Sequence, residues 1–159
     1  MAKPVSNLRH NFHRLQDGRR LHYLANVQEA DRPPKHNLVI FIHGFPDSCQ
    51  LWREVANSLL LQEKSTIVAV DLPGTGGSES YPNYGATIVL EALTEFVVAM
   101  REKYLGEDAS HGLSATRVFI IGHDWGGLLG FRLATEAVSG LADRYILING
   151  PHVSSVLPF

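Results

Sequence analysis

The residues best placed to do chemistry lie in the stretch Gly122-His123-Asp124-Trp125-Gly126-Gly127. It follows the apolar run Val118-Phe119-Ile120-Ile121, which reads as a buried strand, and opens into Leu128-Leu129-Gly130-Phe131-Arg132-Leu133-Ala134, which reads as a helix. A residue flanked by glycines on a strand-to-helix turn has the geometry of a nucleophile elbow, where serine is the usual occupant. Aspartate in that place points to attack by a carboxylate. Such a group is already ionised at neutral pH, and the positive end of the following helix favours its charge. The chemistry suits electrophilic carbon, as in epoxides or alkyl halides. The plainer alternative makes Asp124 only the N-cap of its helix.

A second motif, His43-Gly44-Phe45-Pro46, follows another apolar run, Leu38-Val39-Ile40-Phe41-Ile42. Loops at the carboxyl ends of parallel strands are where open α/β sheets place their sites. From there the Phe45 backbone N–H can point at the same spot as the Trp125 N–H, and the two would form an oxyanion hole. His43, Gly44, Pro46, Gly122, His123 and Gly126 are expected to shape this site. Taken alone, His43 reads as an ordinary turn histidine bonded to backbone; the elbow is what tips the motif toward function. A third motif, Asp71-Leu72-Pro73-Gly74-Thr75-Gly76-Gly77-Ser78, has glycines but no lysine where a P-loop needs one, and Glu79 breaks the dinucleotide pattern. It reads as a shaped loop beside the site, with Asp71 as a hydrogen-bonded strand end.

These loops require a particular frame. Residues 12–16 and 20–27 flank Asp17-Gly18 and predict an antiparallel hairpin. Residues 29–37 form a polar connection containing Pro33-Pro34. The continuous run 38–42 predicts a strand covered on both faces. Ser48 is a plausible N-cap for a helix whose inner face is Leu51, Trp52, Val55 and Leu59. Residues 66–70 predict a strand, 87–104 a helix with the stripe Val89, Leu93, Phe96, Val97, Met100 and Tyr104, and Gly106 its stop. A strand at 117–122, a helix at 125–138 and a strand at 145–149 complete the pattern. The alternation implies an α/β three-layer sandwich with a mostly parallel sheet and helices on both faces.

The chain has 159 residues, 45% hydrophobic and 19% charged, with a formal net charge of -2, which fits a single globular domain with a real core. No basic field is available for a nucleic-acid backbone. Cys49 is the only cysteine, so no intrachain disulfide can form, and metal-binding Cys and Cys/His spacings are absent along the sequence. No metal or cofactor is expected from these spacings. The beginning of the sequence lacks an apolar signal core, the apolar runs are too short for a membrane span, and the expected location is cytoplasmic.

Together the three motifs, in their order, resemble the α/β-hydrolase fold, most closely its epoxide-hydrolase branch and next the haloalkane dehalogenases. Asn149-Gly150-Pro151-His152 also looks like that family's segment after its sixth strand. The resemblance implies Asp124 as nucleophile and Phe45 and Trp125 as donors of the oxyanion-hole amides. Many haloalkane dehalogenases have an asparagine where Phe45 stands, which favours an epoxide over an alkyl halide as the small apolar substrate. The family's cap domain, which carries tyrosines that activate the epoxide oxygen, would begin where this sequence stops. The family's catalytic histidine and last two strands would lie further on. His152 occupies the place of a non-catalytic histidine. Residues 1–159 are therefore expected to form a single incomplete α/β-hydrolase core domain, truncated after the sixth strand. Such a chain is expected to form an aspartyl ester without turning over, and to self-associate through the open sixth strand unless Ser154 to Phe159 fold back over it. The five tyrosines, Tyr23, Tyr81, Tyr84, Tyr104 and Tyr145, are expected to serve packing. Three other readings stay open: a haloalkane dehalogenase, a non-catalytic remnant that binds a ligand or partner, and a shortened product with no function of its own.

Overall fold

A computed structural model describes residues 8–27, 37–58, 64–106, 116–137 and 140–150. Six strands make one sheet: β1 (Arg9–Arg14), β2 (Arg20–Ala25), β3 (Asn37–Ile42), β4 (Ser65–Val70), β5 (Val118–His123) and β6 (Arg144–Ile148). Their spatial order is β1-β2-β4-β3-β5-β6. The hairpin β1–β2 is antiparallel and meets β4 antiparallel, while β4, β3, β5 and β6 run parallel. The sheet is thus mixed at one side and parallel through its centre. The chain leaves β3 toward β4 and later returns to β3's other flank as β5, so the order of strand addition reverses at β3 while the strands stay parallel. That is the position where an open α/β sheet opens a crevice at its carboxyl edge.

Alternation along β3 explains its two-sided burial. Leu38, Ile40 and Ile42 join the larger core with α2 (Ala86–Leu105) and α3 (Trp125–Glu136). Val39 and Phe41 face the smaller core, with Cys49, Trp52, Ala56, Ile67 and Ala69. Phe41 and Trp52 stack with ring centroids 4.7 Å apart. Helix α2 follows the expected stripe: Leu93, Phe96, Val97 and Met100 are fully buried. Its stop is Gly106, at φ 73, whose N–H reaches the Glu102 carbonyl.

The segment after Ser48 differs from the sequence expectation. Ser48 does cap, accepting from the Gln50 N–H, but it caps a 3-10 turn, Cys49–Trp52, followed by the four-residue α1 (Arg53–Ala56). Three residues per turn put Cys49 and Trp52 on one side, and the later switch to helical pitch adds Ala56. That face is the buried one, whereas Leu51 and Val55 are exposed; Leu59 lies outside the described residues. The hairpin also shifts: β1 ends at Arg14 because Leu15 to Gly18 turn, with Gly18 N–H bonded to the Leu15 carbonyl at 2.9 Å. Helix α3 ends at Glu136, and Val138, the expected end, lies outside the described residues. Four tyrosines are buried or half-buried, but Tyr84 is exposed, its hydroxyl accepting from the Tyr81 N–H.

Among the described residues β6 pairs with β5 alone. Ile146 is 46% exposed and Ile148 40% exposed. No helix among the described residues is long and apolar enough to cross a membrane.

Candidate active site

Strand β5 ends at His123, and the next residue, Asp124, turns the chain abruptly into α3. Its backbone sits at φ 54, ψ -118, a region that costs a non-glycine residue about 1–3 kcal/mol. Three hydrogen bonds hold it there. Asp124 N–H donates to the Ile148 carbonyl at 3.0 Å, and the Asp124 carbonyl accepts from Gly127 N–H at 2.9 Å and Leu128 N–H at 3.1 Å. The turn is possible only because its flanks lack side chains. A Cβ on Gly122 would collide with the Gly126 backbone, and one on Gly126 would strike the Ile42 and His43 carbonyls.

Asp124 occupies the N-cap position of α3, yet its side chain makes no capping hydrogen bond. The carboxylate instead crosses to the β3 loop, where Oδ2 accepts from the Phe45 backbone N–H at 3.1 Å. Hydrogen bonds from the Phe45 and Trp125 amides hold the carboxyl below the usual aspartate range, against a smaller opposing effect of desolvation; nearby His123 adds a little in the same direction. Gly44 makes the approach possible: a Cβ there would lie 2.5 Å from the Asp124 Cβ and 2.6 Å from Oδ2. The structure therefore brings together residues from the ends of β3 and β5 that are 79 positions apart in sequence.

The other expected residues fall around this pair. Phe45 and Trp125 are exposed, at 72% and 49%, so their rings offer apolar surface beside a half-buried carboxylate. Pro46 is exposed and follows a cis peptide bond. His123 is half-buried at the end of β5. His43 is fully buried and braces the loop from beneath. Its Nδ1–H donates to the Gly44 carbonyl at 2.6 Å, and its Nε2 accepts from Leu72 N–H at 3.0 Å. Burial pulls its pKa down, only partly offset by the Gly44 carbonyl and by Asp71 and Asp47. A neutral imidazole with both nitrogens committed is a strut between the β3 loop and the glycine loop after β4. It is not free to act as a base.

Asp71 is the centre of a second constellation. Its Oδ1 accepts from Cys49 N–H at 2.6 Å; its Oδ2 accepts from Gly77 N–H at 2.8 Å and lies 2.7 Å from His22 Nδ1. Burial works against its charge, but these donors outweigh burial and hold the carboxyl at about 2. Burial, then Asp71, push the Cys49 thiol up. Sequence spacing gave no sign of this convergence. The available signal was His22 itself, a polar ring between Leu21 and Tyr23 in a strand that buries nearly every side chain. A histidine in that position needs an interior partner.

A family model described as "alpha/beta hydrolase fold" matches residues 37–158, and the chain belongs to that family. Among curated proteins, Epoxide hydrolase 3 of Xenopus tropicalis is 29% identical over 150 residues, covering 92% of this chain and 35% of the relative. Epoxide hydrolase 4 of Mus musculus is 30% identical over 146 residues, covering 91% of this chain and 36% of the relative. Among solved structures, Cfl2 of Burkholderia cenocepacia superposes with a TM-score of 0.72 at 26% identity, covering 95% of this chain and 44% of that one. The chain thus spans about a third of the length of the curated relatives it matches.

Proposed function

We propose that Asp124 is the nucleophile of an epoxide-hydrolase-type reaction. The observation that carries the proposal is the Asp124 carboxylate, presented from a strained turn and held by the Phe45 N–H at 3.1 Å. One carboxylate oxygen attacks an epoxide carbon, the ring C–O bond breaks with its electron pair on the departing oxygen, and that oxygen takes a proton from solvent water, leaving hydroxide. The product is an alkyl aspartyl ester. The Phe45 and Trp125 amides then face the ester carbonyl, where they can hold the oxyanion that forms when water attacks it. The exposed Phe45 and Trp125 rings favour a small apolar substrate. The names of the curated relatives support epoxides over alkyl halides. The setting proposed is the reducing cytoplasm, where a lone buried cysteine stays a thiol.

Ester hydrolysis needs a base to activate water. Among the described residues no histidine hydrogen-bonds to Asp124, and His43 is committed to the loops. The described residues are therefore proposed to carry the reaction only as far as the ester. Incubation with a reactive aryl epoxide and intact-mass analysis tests both parts. The expected result is a single adduct that persists, maps to Asp124, and is missing from Asp124→Asn. An adduct elsewhere, or none, overturns the nucleophile assignment. Sustained diol production overturns the arrest. Halide release from an alkyl halide without reaction at epoxides would instead establish the dehalogenase reading.

A further inference from the structure

Away from Asp124, three potential metal ligands meet in the interior. They are His22 on β2, Cys49 at the start of the 3-10 turn and Asp71 at the end of β4, and all three are buried. Their ligand atoms lie within 4.8 Å of one another. We propose that His22 Nδ1, Cys49 Sγ and an Asp71 carboxylate oxygen bind one thiophilic divalent ion of the zinc class. The proposal is independent of the role assigned to Asp124.

The distances fit with small adjustments. Tetrahedral zinc with bonds of about 2.0–2.3 Å sets its ligand atoms about 3.3–3.6 Å apart. Cys49 Sγ is 3.9 Å from His22 Nδ1. The gap between His22 Nδ1 and Asp71 Oδ2 is shorter, at 2.7 Å, because a proton is shared there. Replacing that proton by an ion requires the pair to open by about 0.6–0.9 Å to reach tetrahedral spacing. The donor set of one thiolate, one imidazole and one carboxylate belongs to the zinc class, not to magnesium or calcium, which take oxygen ligands.

His10 supplies what such a ligand needs from behind. It lies on β1, exposed, with Nδ1 2.8 Å from His22 Nε2 and the two rings stacked. Without an ion, His22 Nδ1–H donates to the carboxylate, and its Nε2 accepts from His10 Nδ1–H. With an ion, His22 Nδ1 carries the lone pair and Nε2–H donates to His10 Nδ1. That outward hydrogen bond fixes the ring of a metal-binding histidine. The protons balance: the Cys49 thiol releases one to solvent, while His22 and His10 each move one between their own nitrogens. A dication at this point also supplies the charge that a buried thiolate otherwise lacks. The bound ion would tie β2, the 3-10 turn and β4 together beneath the glycine loop.

The test is cobalt titration of the untagged, reduced 159-residue chain after chelator treatment. Cys49 is the only cysteine, so a thiolate-to-cobalt charge-transfer band reports this site and no other. The expected result is such a band saturating at one equivalent and bleached by zinc. Cys49→Ala, folded by circular dichroism, is expected to lose it. His10→Ala leaves every buried ligand in place and is expected to weaken binding about 10-fold or more. The proposal is overturned by a folded wild-type chain that gives no band, by one-equivalent binding that survives Cys49→Ala, or by unchanged affinity in His10→Ala.

Discussion

Gly44→Ala puts the reasoning about the site under direct strain. The added methyl group would sit 2.5 Å from the Asp124 Cβ and 2.6 Å from Oδ2, where ordinary contacts begin near 3.4 Å. Relief requires the β3 loop and the elbow to separate by about 1 Å, a displacement that by itself can cost about 100-fold in rate when it misplaces a reacting group. The 3.1 Å bond from Phe45 N–H to Oδ2 cannot survive that separation. That bond to a charged group, a contribution of about 1.5–3 kcal/mol, is what aims the carboxylate, so its loss adds to the misplacement. The expected outcome is at least about tenfold slower ester formation by intact-mass time course, with circular dichroism unchanged. A second readout does not depend on reactivity. Since the Phe45 amide is the largest cause holding the Asp124 carboxyl low, the variant's carboxyl, followed by carbon NMR, should titrate higher than the wild type's. Wild-type ester kinetics together with an unmoved titration would refute the argument.

The same depressed carboxyl predicts a pH profile. Because the folded Asp124 titrates below its ordinary value, ester formation should hold as pH falls from 7 and decline only at a lower pH than the ionisation of a free aspartate would give. A rate that declines between pH 6 and 5 would show that another group controls attack. The apolar outer strand predicts association: with Ile146 46% and Ile148 40% exposed, sedimentation at rising concentration should reveal dimers or larger species. Replacing both residues with lysine should restore monomers, and a concentration-independent monomer in the wild type would contradict the expectation.

The parts of this fold that were legible in the sequence are those with one strong local cause. The run 38–42 has a single reading because a continuous β-branched stretch has nowhere to go but a sheet covered on both faces. The tight turn at Asp124 is legible because its steric demand falls on the glycines beside it, and the structure places Gly122 and Gly126 in contact across the turn. Where two local codes compete, the reading fails. Ser48 caps as expected, but a 3-10 start rotates the register so that Cys49, Trp52 and Ala56, not Leu51 and Val55, turn inward. Tyr84 is exposed, although its ring is as apolar as those of its buried counterparts. The His22–Cys49–Asp71 cluster was illegible for a different reason: its members are joined only by tertiary contact, and no spacing rule spans 27 and 22 residues of unrelated chain.

The hydrogen bond from Asp124 N–H to the Ile148 carbonyl, 3.0 Å long, ties the Asp124 turn to β6, the outermost strand among the described residues. Rim strands are the first to fray, opening at a fraction of the free energy needed to unfold the whole. Each such opening would release one of the anchors that keep Asp124 in its costly backbone pose. The aim of the carboxylate is therefore no steadier than the rim it is fastened to, and whatever clasps β6 also steadies the proposed nucleophile.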